Sequence, residues 1–215
     1  MLGIDWDKDA IEKLNSPAGG GKFKDCKNII LVNGNYADLP EILKENKLPK
    51  ADGLIVDLGM SSDQLEYSGK GFSFLRNEPL IMRYDGDVKN LTTAEAVNGF
   101  SEKKLADVFW KYGEERYSRQ IAKKIIEERK RKRILTTFDL VEIIKKAVPK
   151  NYEKGRIHPA TKAFQALRIY VNGELENLEK LLKNLTAVLK SNSRAIIISF
   201  HSLEDRLVKN YFRMM

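Results

Sequence analysis

Residues 53–64 combine an apolar run with a sudden change to an acid, a glycine and small hydroxyl side chains. The apolar residues 54–56 are followed by Asp57, Gly59, Ser61 and Ser62. A buried parallel strand that ends in this way delivers polar groups to the carboxyl edge of an open sheet, where α/β proteins bind their ligands. Gly59 permits close approach of a ligand to the backbone. We therefore expect Asp57 to contact a ligand, and a simple strand-end turn is the alternative.

Asp5 stands at the end of the first apolar segment, residues 2–4. In nucleotide-binding α/β folds, an acid at the end of the second strand binds the ribose hydroxyls, about 20 residues after a glycine-rich turn. Such a turn would precede Met1. The alternative role, a helix cap, suits Asp7 better than Asp5. The local pattern therefore leaves a ligand role and a structural role for Asp5 equally open.

Three further residues are candidates for contact with a ligand. Tyr36 follows the apolar segment 28–32, so its ring is placed to stack on a purine or to fill the core. Gln64 is placed to offer an amide to a ligand or to lie on the surface. His201 follows the last predicted strand at the edge that carries Asp57, where a neutral, hydrogen-bonded histidine is the alternative.

The chain carries an excess of positive charge. It has 38 Lys and Arg residues against 30 Asp and Glu, which gives a formal net charge of +8. Such an excess suits a polyanionic partner, and we favour nucleic acid over a membrane surface. Five consecutive cations, Arg129 to Arg133, either complement the dipole of a helix C-terminus or form a phosphate-binding patch. Both readings stay open.

Cysteine and histidine usage predicts neither a disulfide nor a metal site. The single cysteine, Cys26, excludes an internal disulfide and indicates a reducing cytosol. Cys26, His158 and His201 lie far apart, so the spacing of a zinc site is absent. No stretch approaches the roughly 18 apolar residues of a membrane-spanning helix, and the acidic opening does not resemble a signal peptide. We expect a cytoplasmic protein with no membrane association.

Strands and helices alternate in the first part of the chain. Strands are predicted at 2–4, 28–32 and 54–58, helices at 7–14 and 39–48, a glycine-rich loop at 15–24, and one further strand at 194–200. This order predicts an α/β fold with a parallel sheet flanked by helices.

Helices are predicted to dominate between about residues 75 and 160. Two segments, Thr136–Asp139 and Ser202–Asp205, have the spacing of a capping box. Pro159 suits the first turn of a long helix. The apolar stripe of that helix extends along residues 164–185, which predicts one continuous helix.

Several longer motifs stand in a fixed order along the chain. They are Asp-Leu-Gly-Met-Ser-Ser-Asp-Gln-Leu (57–65), Lys-Gly-Phe-Ser-Phe (70–74), Pro-Leu-Ile-Met-Arg-Tyr-Asp (79–85), Tyr-Gly-Glu-Glu-Arg (112–116), His-Pro-Ala-Thr-Lys-Ala-Phe-Gln-Ala-Leu-Arg-Ile-Tyr-Val-Asn (158–172) and Ser-Phe-His-Ser-Leu-Glu-Asp-Arg (199–206). Together they resemble the MraW family of bacterial ribosomal RNA small subunit methyltransferases H over nearly the whole chain. The resemblance implies transfer of a methyl group from S-adenosylmethionine to the exocyclic N4 of a cytidine in 16S rRNA.

The resemblance also implies an architecture. It is a class I, Rossmann-like methyltransferase core with an inserted all-helical domain. On this basis residues 1–74 and 161–215 form the two parts of the core, and residues 75–160 form the insertion. The partner is the 16S rRNA of the small ribosomal subunit, with the insertion and the basic run holding its phosphates.

The family's cofactor contacts fall on four residues of this sequence. Asp5 would bind the ribose hydroxyls and Tyr36 would pack on the adenine. Asp57 and Gln64 would hold the remaining polar edges of S-adenosylmethionine. These roles are implied by the resemblance and agree with the positions of the residues at predicted strand ends.

The chain departs from the family pattern at its ends and at two internal positions. The family's glycine-rich loop on the first strand and its closing segment have no counterpart here. We therefore expect a sheet that is incomplete at both chain ends, in a chain that is a fragment. Ile81 replaces a usual aspartate, and Asp63 stands where proline is common.

Methyl transfer to an amine sets requirements that several residues meet. Correct geometry supplies most of the acceleration, the target base leaves its stack, and an acceptor takes the proton from N4. Asp57, Ser61 and His201 are candidates for that acceptor, so the catalytic residue is unassigned.

A non-catalytic RNA-binding or assembly module is one alternative function. A nicotinamide-dependent oxidoreductase is another, which the small residues after Asp57 and the basic surplus disfavour. The oligomeric state, a homodimer included, is open.

Overall fold

The computed structural model describes residues 1–15, 28–85, 90–149, 152 and 157–214, which form two compact units. The first unit takes in residues 1–15, 28–59, 84–85 and 174–214. The second takes in residues 60–83, 90–149, 152 and 157–173. Cys26 and most of the predicted glycine-rich loop lie outside the described residues.

The named strands all belong to the first unit, whereas the named elements of the second unit are helices. The strands are β1 (Leu2–Asp5), β2 (Ile30–Asn33), β3 (Ala51–Asp57) and β4 (Leu189–Ile198). The helices are α1 (Lys8–Asn15), α2 (Leu39–Glu45), α3 (Ser62–Glu66), α4 (Thr93–Gly99), α5 (Glu102–Gly113), α6 (Ser118–Arg129), α7 (Thr137–Ala147), α8 (Thr161–Asn172), α9 (Glu174–Val188) and α10 (Ser202–Met214), with a 3-10 turn at Tyr36–Asp38. The α/β class predicted from the sequence is confirmed.

The strands pair in parallel, two by two. β1 pairs with β2, with Asp5 opposite Asn33, and β3 pairs with β4, with Asp57 opposite Ile198. Asp5 and Asp57 therefore both stand at carboxyl ends of parallel strands, as predicted. Within the described residues the two pairs form two separate sheets.

A cavity of about 500 Å³ lies between the two sheets. Leu2, Ile4 and Ile30 line it on one side, and residues 50–57 line it on the other. The β1 edge and the β3 edge that face this cavity pair with no strand in the described part of the chain. Unpaired edges of this kind present rows of backbone donors and acceptors that a further strand can satisfy.

Only one face of the β3–β4 sheet is covered. Val56 is buried among leucines of α9 and α2, with Leu54 and Ile197 packed against the same cluster. On the opposite face Ile55 is 72% exposed and Ile196 is 52% exposed. Because parallel sheets are ordinarily covered on both faces, this sheet retains an apolar face that the described residues leave open.

The long helix predicted after Pro159 is two helices. Gly173 adopts a left-handed backbone conformation with φ of +59° and ends α8. Its amide donates to the carbonyl oxygen of Tyr170. Glycine reaches this conformation at little cost, which makes it a common helix terminator. The apolar stripe continues into α9, so the periodicity alone did not reveal the break.

The second unit is built on the buried faces of its helices. Leu105 and Phe109 of α5 and Ile121 and Ile125 of α6 are fully buried, as their spacing predicted. Thr136 caps α7, because its side chain accepts a hydrogen bond from the Asp139 amide, and this confirms the predicted cap.

The helices are short. The longest, α9, has 15 residues. Among the described residues no helix combines the length and apolar character that crossing a membrane requires.

Candidate functional site

Asp57 is held at the end of β3 by its own turn. Its Oδ1 accepts a hydrogen bond of 2.9 Å from the backbone amide of Gly59. Its Oδ2 makes no hydrogen bond with any residue that the structure describes. The strand-end turn is therefore present and fixes one carboxylate oxygen, while the lone pairs of the other oxygen are unused within the described residues; a ligand contact of Asp57 stays a prediction.

Gly59 lies in close contact with the Phe200 ring. A Cβ atom on Gly59 would lie 2.5 Å from Cε2 and 2.7 Å from Cζ of that ring. The Phe200 ring is 65% exposed, although it follows β4 directly. The exposed ring of Phe200, which follows β4, thus contacts the backbone that follows β3 and Asp57.

Asp5 occupies the equivalent place at the end of β1. Its Oδ1 accepts a hydrogen bond of 2.8 Å from the Asp7 amide. Partial enclosure raises the pKa of Asp5, with the nearby Asp7 carboxylate adding to it and the Asp7 amide opposing it. Asp7 itself caps α1, since its Oδ1 accepts from the Asp9 amide at 3.0 Å. The structure therefore gives the cap to Asp7, as the sequence had favoured.

Tyr36 lies in the 3-10 turn after β2 and lines the cavity together with Asp57. Its hydroxyl donates to the carbonyl oxygen of Glu174 at 3.5 Å. Burial, followed by the charges of Glu174 and Glu204, raises the pKa of Tyr36 well above its usual range. The ring also packs against the leucine core, so Tyr36 is both a cavity residue and a core residue. Asp5 is not among the residues that line this cavity, although other residues of β1 are.

Gln64 belongs to the second unit and is engaged there in a helix cap. Its side-chain amide oxygen accepts a hydrogen bond from the Ser61 backbone amide at 3.1 Å. The Ser61 hydroxyl in turn accepts one from the Gln64 backbone amide at 3.1 Å. This reciprocal capping box starts α3. Ser61 and Gln64 have the spacing that signals a capping box, so the sequence contained this information.

A cluster that the sequence did not reveal joins Glu174, His201 and Glu204. One side-chain ligand atom from each residue lies within 4.8 Å of the other two. His201 Nε2 lies 3.2 Å from Glu204 Oε1 and makes no hydrogen bond of good geometry. Tyr84 donates to Glu174 Oε1 at 3.1 Å. Glu204 is 3% exposed, so a buried carboxylate stands beside the imidazole.

The cluster is better suited to holding protons than to binding a metal. His201 Nδ1 accepts a hydrogen bond from the Glu204 amide at 3.4 Å. A neutral imidazole that accepts at Nδ1 carries its proton on Nε2, and here that nitrogen lies near the Glu204 carboxylate without a well-formed hydrogen bond to it. Metal-binding histidines normally show the reverse, with the second nitrogen donating.

The same contact corrects the predicted cap of α10. The pattern at Ser202–Asp205 assigned the cap to Ser202, whereas the residue whose side chain accepts from the first turn is His201. Glu204 Oε2 accepts from the Phe200 amide at 2.9 Å and completes the arrangement. The cap lies one residue earlier than predicted because α10 begins at Ser202 and the Asp205 amide donates to the His201 carbonyl oxygen.

The basic run at the end of α6 is largely committed to intramolecular contacts. Arg129 Nη1 donates to the carbonyl oxygens of Val97 and Phe100 at 3.0 and 2.6 Å. Arg131 and Lys132 form ion pairs with Glu128 and Asp139. Within the described residues, the side chains of Lys130 and Arg133 form neither a hydrogen bond nor an ion pair. Intramolecular hydrogen bonds and ion pairs therefore engage three of the five cations, and the two roles predicted for the run, dipole complement and phosphate patch, both stay predictions.

Comparison with known proteins identifies relatives along the whole chain. The model of the MraW methylase family matches residues 1–215. The chain is 44% identical over 213 residues to the ribosomal RNA small subunit methyltransferase H of Syntrophotalea carbinolica, covering 99% of this chain and 66% of the relative. It is 45% identical over 213 residues to that of Coprothermobacter proteolyticus, covering 99% and 68%. It is 51% identical over 182 residues to that of Rickettsia africae, covering 85% and 57%.

These matches cover nearly all of this chain but leave a substantial part of each relative unmatched. The chain spans about two thirds or less of the length of the first relatives. A family match from the first residue to the last, supported by identities above 40%, is sufficient to assign the family. The chain belongs to the MraW methylase family.

Proposed function

We propose that this chain is the greater part of an S-adenosylmethionine-dependent methyltransferase that modifies N4 of a cytidine in 16S rRNA. The observation that carries the proposal is Asp57, fixed at the carboxyl end of a parallel strand with one oxygen uncommitted. Ligands of α/β folds bind at such strand ends. The names of the relatives supply the substrate class, small-subunit ribosomal RNA.

The cavity between the sheets supports a Rossmann-like core. One parallel strand placed beside both β1 and β3 would join the two sheets into one, with Asp5 and Asp57 on its two sides at the same edge. The glycine-rich loop that the family resemblance implies would follow that strand. We infer that such a strand occupies the cavity in the longer relatives, and that residues 75–160, which lie largely within the second, helical unit, are the insertion.

The residues at the strand ends fit the polar groups of S-adenosylmethionine. The cofactor supplies an electrophilic methyl group on a sulfonium. Asp5 offers a carboxylate to the ribose hydroxyls and Asp57 offers Oδ2 to a donor of the cofactor. The Tyr36 ring borders the cavity. Gln64 remains a predicted ligand whose amide oxygen serves the α3 cap.

The geometry distinguishes the three candidate proton acceptors. The Ser61 hydroxyl already accepts from the Gln64 amide. His201 accepts at Nδ1 and carries its proton on Nε2 when neutral. Asp57 Oδ2 has lone pairs that no described residue uses. Of the three, Asp57 is therefore the group best prepared to accept a proton, alongside its role in binding.

Cofactor binding and methyl transfer separate this proposal from its rivals. The protein to use is the longest natural gene product that contains residues 1–215, because the relatives are longer. Calorimetric titration should show binding of S-adenosylmethionine and none of NAD. Incubation with unmodified small subunits should add one methyl group to a cytidine of 16S rRNA, detected by mass spectrometry. Binding of RNA without cofactor would favour a non-catalytic module, and binding of NAD would favour an oxidoreductase.

A further inference from the structure

Trp110 is a large aromatic residue on the surface of the helical unit. Its side chain is 64% exposed, on the outer face of α5. The opposite face of the same helix is fully buried at Leu105 and Phe109. A large aromatic ring left in solvent is a common mark of a binding surface.

Trp110 lies in a cleft that also contains cations. The cleft has a volume of about 380 Å³ and is lined by Ala106, Asp107, Trp110, Arg116, Arg119 and Gln120, with Ser118 at its floor. Its volume falls within the usual range for small-ligand sites. The one acid, Asp107, faces two arginines, so the cleft has a net positive charge.

Arg116 is held in place before any ligand arrives. Its guanidinium lies 4.7 Å from the ring centre of Tyr117 and 5.8 Å from that of Tyr152. Its Nη2 also donates to the Tyr117 hydroxyl at 2.9 Å. The aromatic rings occupy one side of the guanidinium, and the residue itself remains exposed. An immobilised, exposed arginine offers its remaining donors to an anion at little entropic cost.

A buried carboxylate fixes the turn that presents Arg116. Glu115 is 0% exposed and accepts hydrogen bonds from the Tyr117 amide at 2.8 Å and the Tyr152 hydroxyl at 2.6 Å. The preceding residue, Glu114, adopts a left-handed conformation with φ of 48°. The turn between α5 and α6 is therefore rigid, and it sets the position of Arg116 relative to Trp110.

Further cations extend the positive surface along both helices. Lys103 stands seven residues before Trp110 on α5, and Lys123 stands four residues after Arg119 on α6, so each shares a helix face with the cleft. Lys103, Arg119 and Lys123 form no ion pair with a described residue. This uncompensated charge contrasts with the basic run at Arg129–Arg133, where most cations are paired.

We propose that this cleft binds single-stranded RNA, with one unpaired base stacked on Trp110 and the adjacent phosphates held by Arg116 and Arg119. The proposal deepens the proposed function, because it assigns the RNA contact of the same enzyme. Unpaired bases stack on aromatic rings irrespective of sequence, and arginine pairs well with phosphate. A protein partner would also bury a tryptophan, but the unpaired cations on both flanking helices favour a polyanion.

Tryptophan fluorescence offers a direct test, because the chain has two tryptophans, Trp6 and Trp110. In a Trp6→Phe background all tryptophan emission comes from Trp110. Addition of an unstructured 12-nucleotide RNA at low salt should quench this emission, because a stacked base contacts the ring. Absence of quenching at RNA concentrations that saturate binding would overturn the proposal.

Anisotropy of labelled RNA tests the same site without the tryptophan signal. Trp110→Ala should weaken binding at least fivefold and Trp110→Phe should restore most of it, since stacking contributes about 1–3 kcal/mol per base. Arg119→Ala should weaken binding and reduce the salt slope by about one. Lys44→Ala is the matched control, because Lys44 is an exposed cation of α2 whose side chain has no partner among the described residues, and its effect should be smaller than twofold. Equal effects of Arg119→Ala and Lys44→Ala would overturn the proposal.

Two outcomes separate this inference from the proposed function. If S-adenosylmethionine binds but Trp110→Ala leaves RNA affinity unchanged, the cleft is not the RNA site and the methyltransferase assignment stands. If Trp110→Ala instead converts a dimer to a monomer, the surface joins two copies and the proposal is wrong. If Trp110→Ala weakens RNA binding while the cofactor fails to bind, the RNA site is supported and the enzymatic proposal fails.

Discussion

Glu204 lies buried against His201, with Oε1 of the glutamate 3.2 Å from Nε2 of the histidine. The other carboxylate oxygen accepts from the Phe200 amide at 2.9 Å. One side chain thereby joins the end of β4 to the first turn of α10. The segment that carries this contact also brings Phe200 against the backbone after Asp57, so its stability bears on the candidate site.

Removal of the Glu204 carboxylate should destabilise the protein. Glu204→Ala removes the charged acceptor of the partly buried Phe200 amide, and we expect the free energy of unfolding to fall by about 1–3 kcal/mol. Glu204→Gln retains an acceptor oxygen and should cost less. Urea unfolding measures the free energy of unfolding of both variants. Asp205→Ala, on the adjacent exposed position, serves as control and should change stability by less than about 0.5 kcal/mol. Equal losses for Glu204→Ala and Asp205→Ala would contradict the structural role.

The contact between Gly59 and Phe200 predicts a specific rescue. Gly59→Ala would place a methyl group 2.5 Å from the ring, and because the Phe200 side chain is exposed and can shift, we expect a cost at the low end of the roughly 1–3 kcal/mol typical of overpacking. In a Phe200→Ala background the clash is absent, so the same substitution should cost much less. A double-mutant cycle of unfolding free energies measures the difference. Additive effects of the two substitutions would show that the ring does not lie against Gly59.

Asp5 should show a trade-off between stability and binding that depends on pH. Its pKa is raised in the folded state, so its stabilising contribution is complete below the unfolded-state pKa and is lost as the pH rises through the raised folded-state pKa. Asp5→Asn removes this loss while keeping an acceptor for the Asp7 amide. We expect the variant to lose less thermal stability than the wild type between acidic and neutral pH. Its affinity for S-adenosylmethionine should fall at least tenfold.

If the thermal stabilities of the wild type and of Asp5→Asn change with pH in the same way, the raised pKa of Asp5 is contradicted. If Asp5→Asn binds S-adenosylmethionine as tightly as the wild type, the proposed role of Asp5 at the ribose is contradicted. The two measurements are independent, because the pH dependence of thermal stability is recorded without cofactor. Asp9→Asn, an exposed neighbour on α1, provides a control for the charge change alone.

Strand ends proved predictable because their chemistry is local. An apolar run that stops at an acid defines both the strand and the position of the acid, so Asp5 and Asp57 were placed at parallel strand ends from the sequence. The break at Gly173 was not predicted, since the apolar stripe continues across it with helical spacing. A glycine within a periodic stripe is ambiguous until the backbone shows its positive φ.

The Glu174–His201–Glu204 cluster was beyond sequence reasoning for a different reason. Glu174 begins α9 and the other two residues flank the start of α10, so only the tertiary fold brings them together. The sequence could not predict which cations of the basic run are engaged, for the same reason. Its five cations look alike in the sequence, whereas their partners on α4, α6 and α7 determine which remain available.

Arg129 and Lys130 should therefore behave differently although they are neighbours. Arg129→Ala removes two hydrogen bonds to the carbonyl oxygens of Val97 and Phe100, and we expect a loss of about 1–3 kcal/mol in unfolding free energy. Lys130→Ala should leave stability nearly unchanged. Guanidinium chloride unfolding checks both variants. A stable Arg129→Ala protein with weakened RNA binding would instead assign this residue to phosphate recognition.

The central claim, that Asp57 holds the cofactor, is tested most directly by titrating S-adenosylmethionine into the longest natural gene product that contains residues 1–215. The comparison is between wild type, Asp57→Ala and Asp52→Ala, which removes an exposed acid near the opposite end of the same strand. We predict that Asp57→Ala weakens binding at least tenfold while Asp52→Ala changes it by less than twofold. Equal affinity of the Asp57→Ala variant and the wild type would contradict the account.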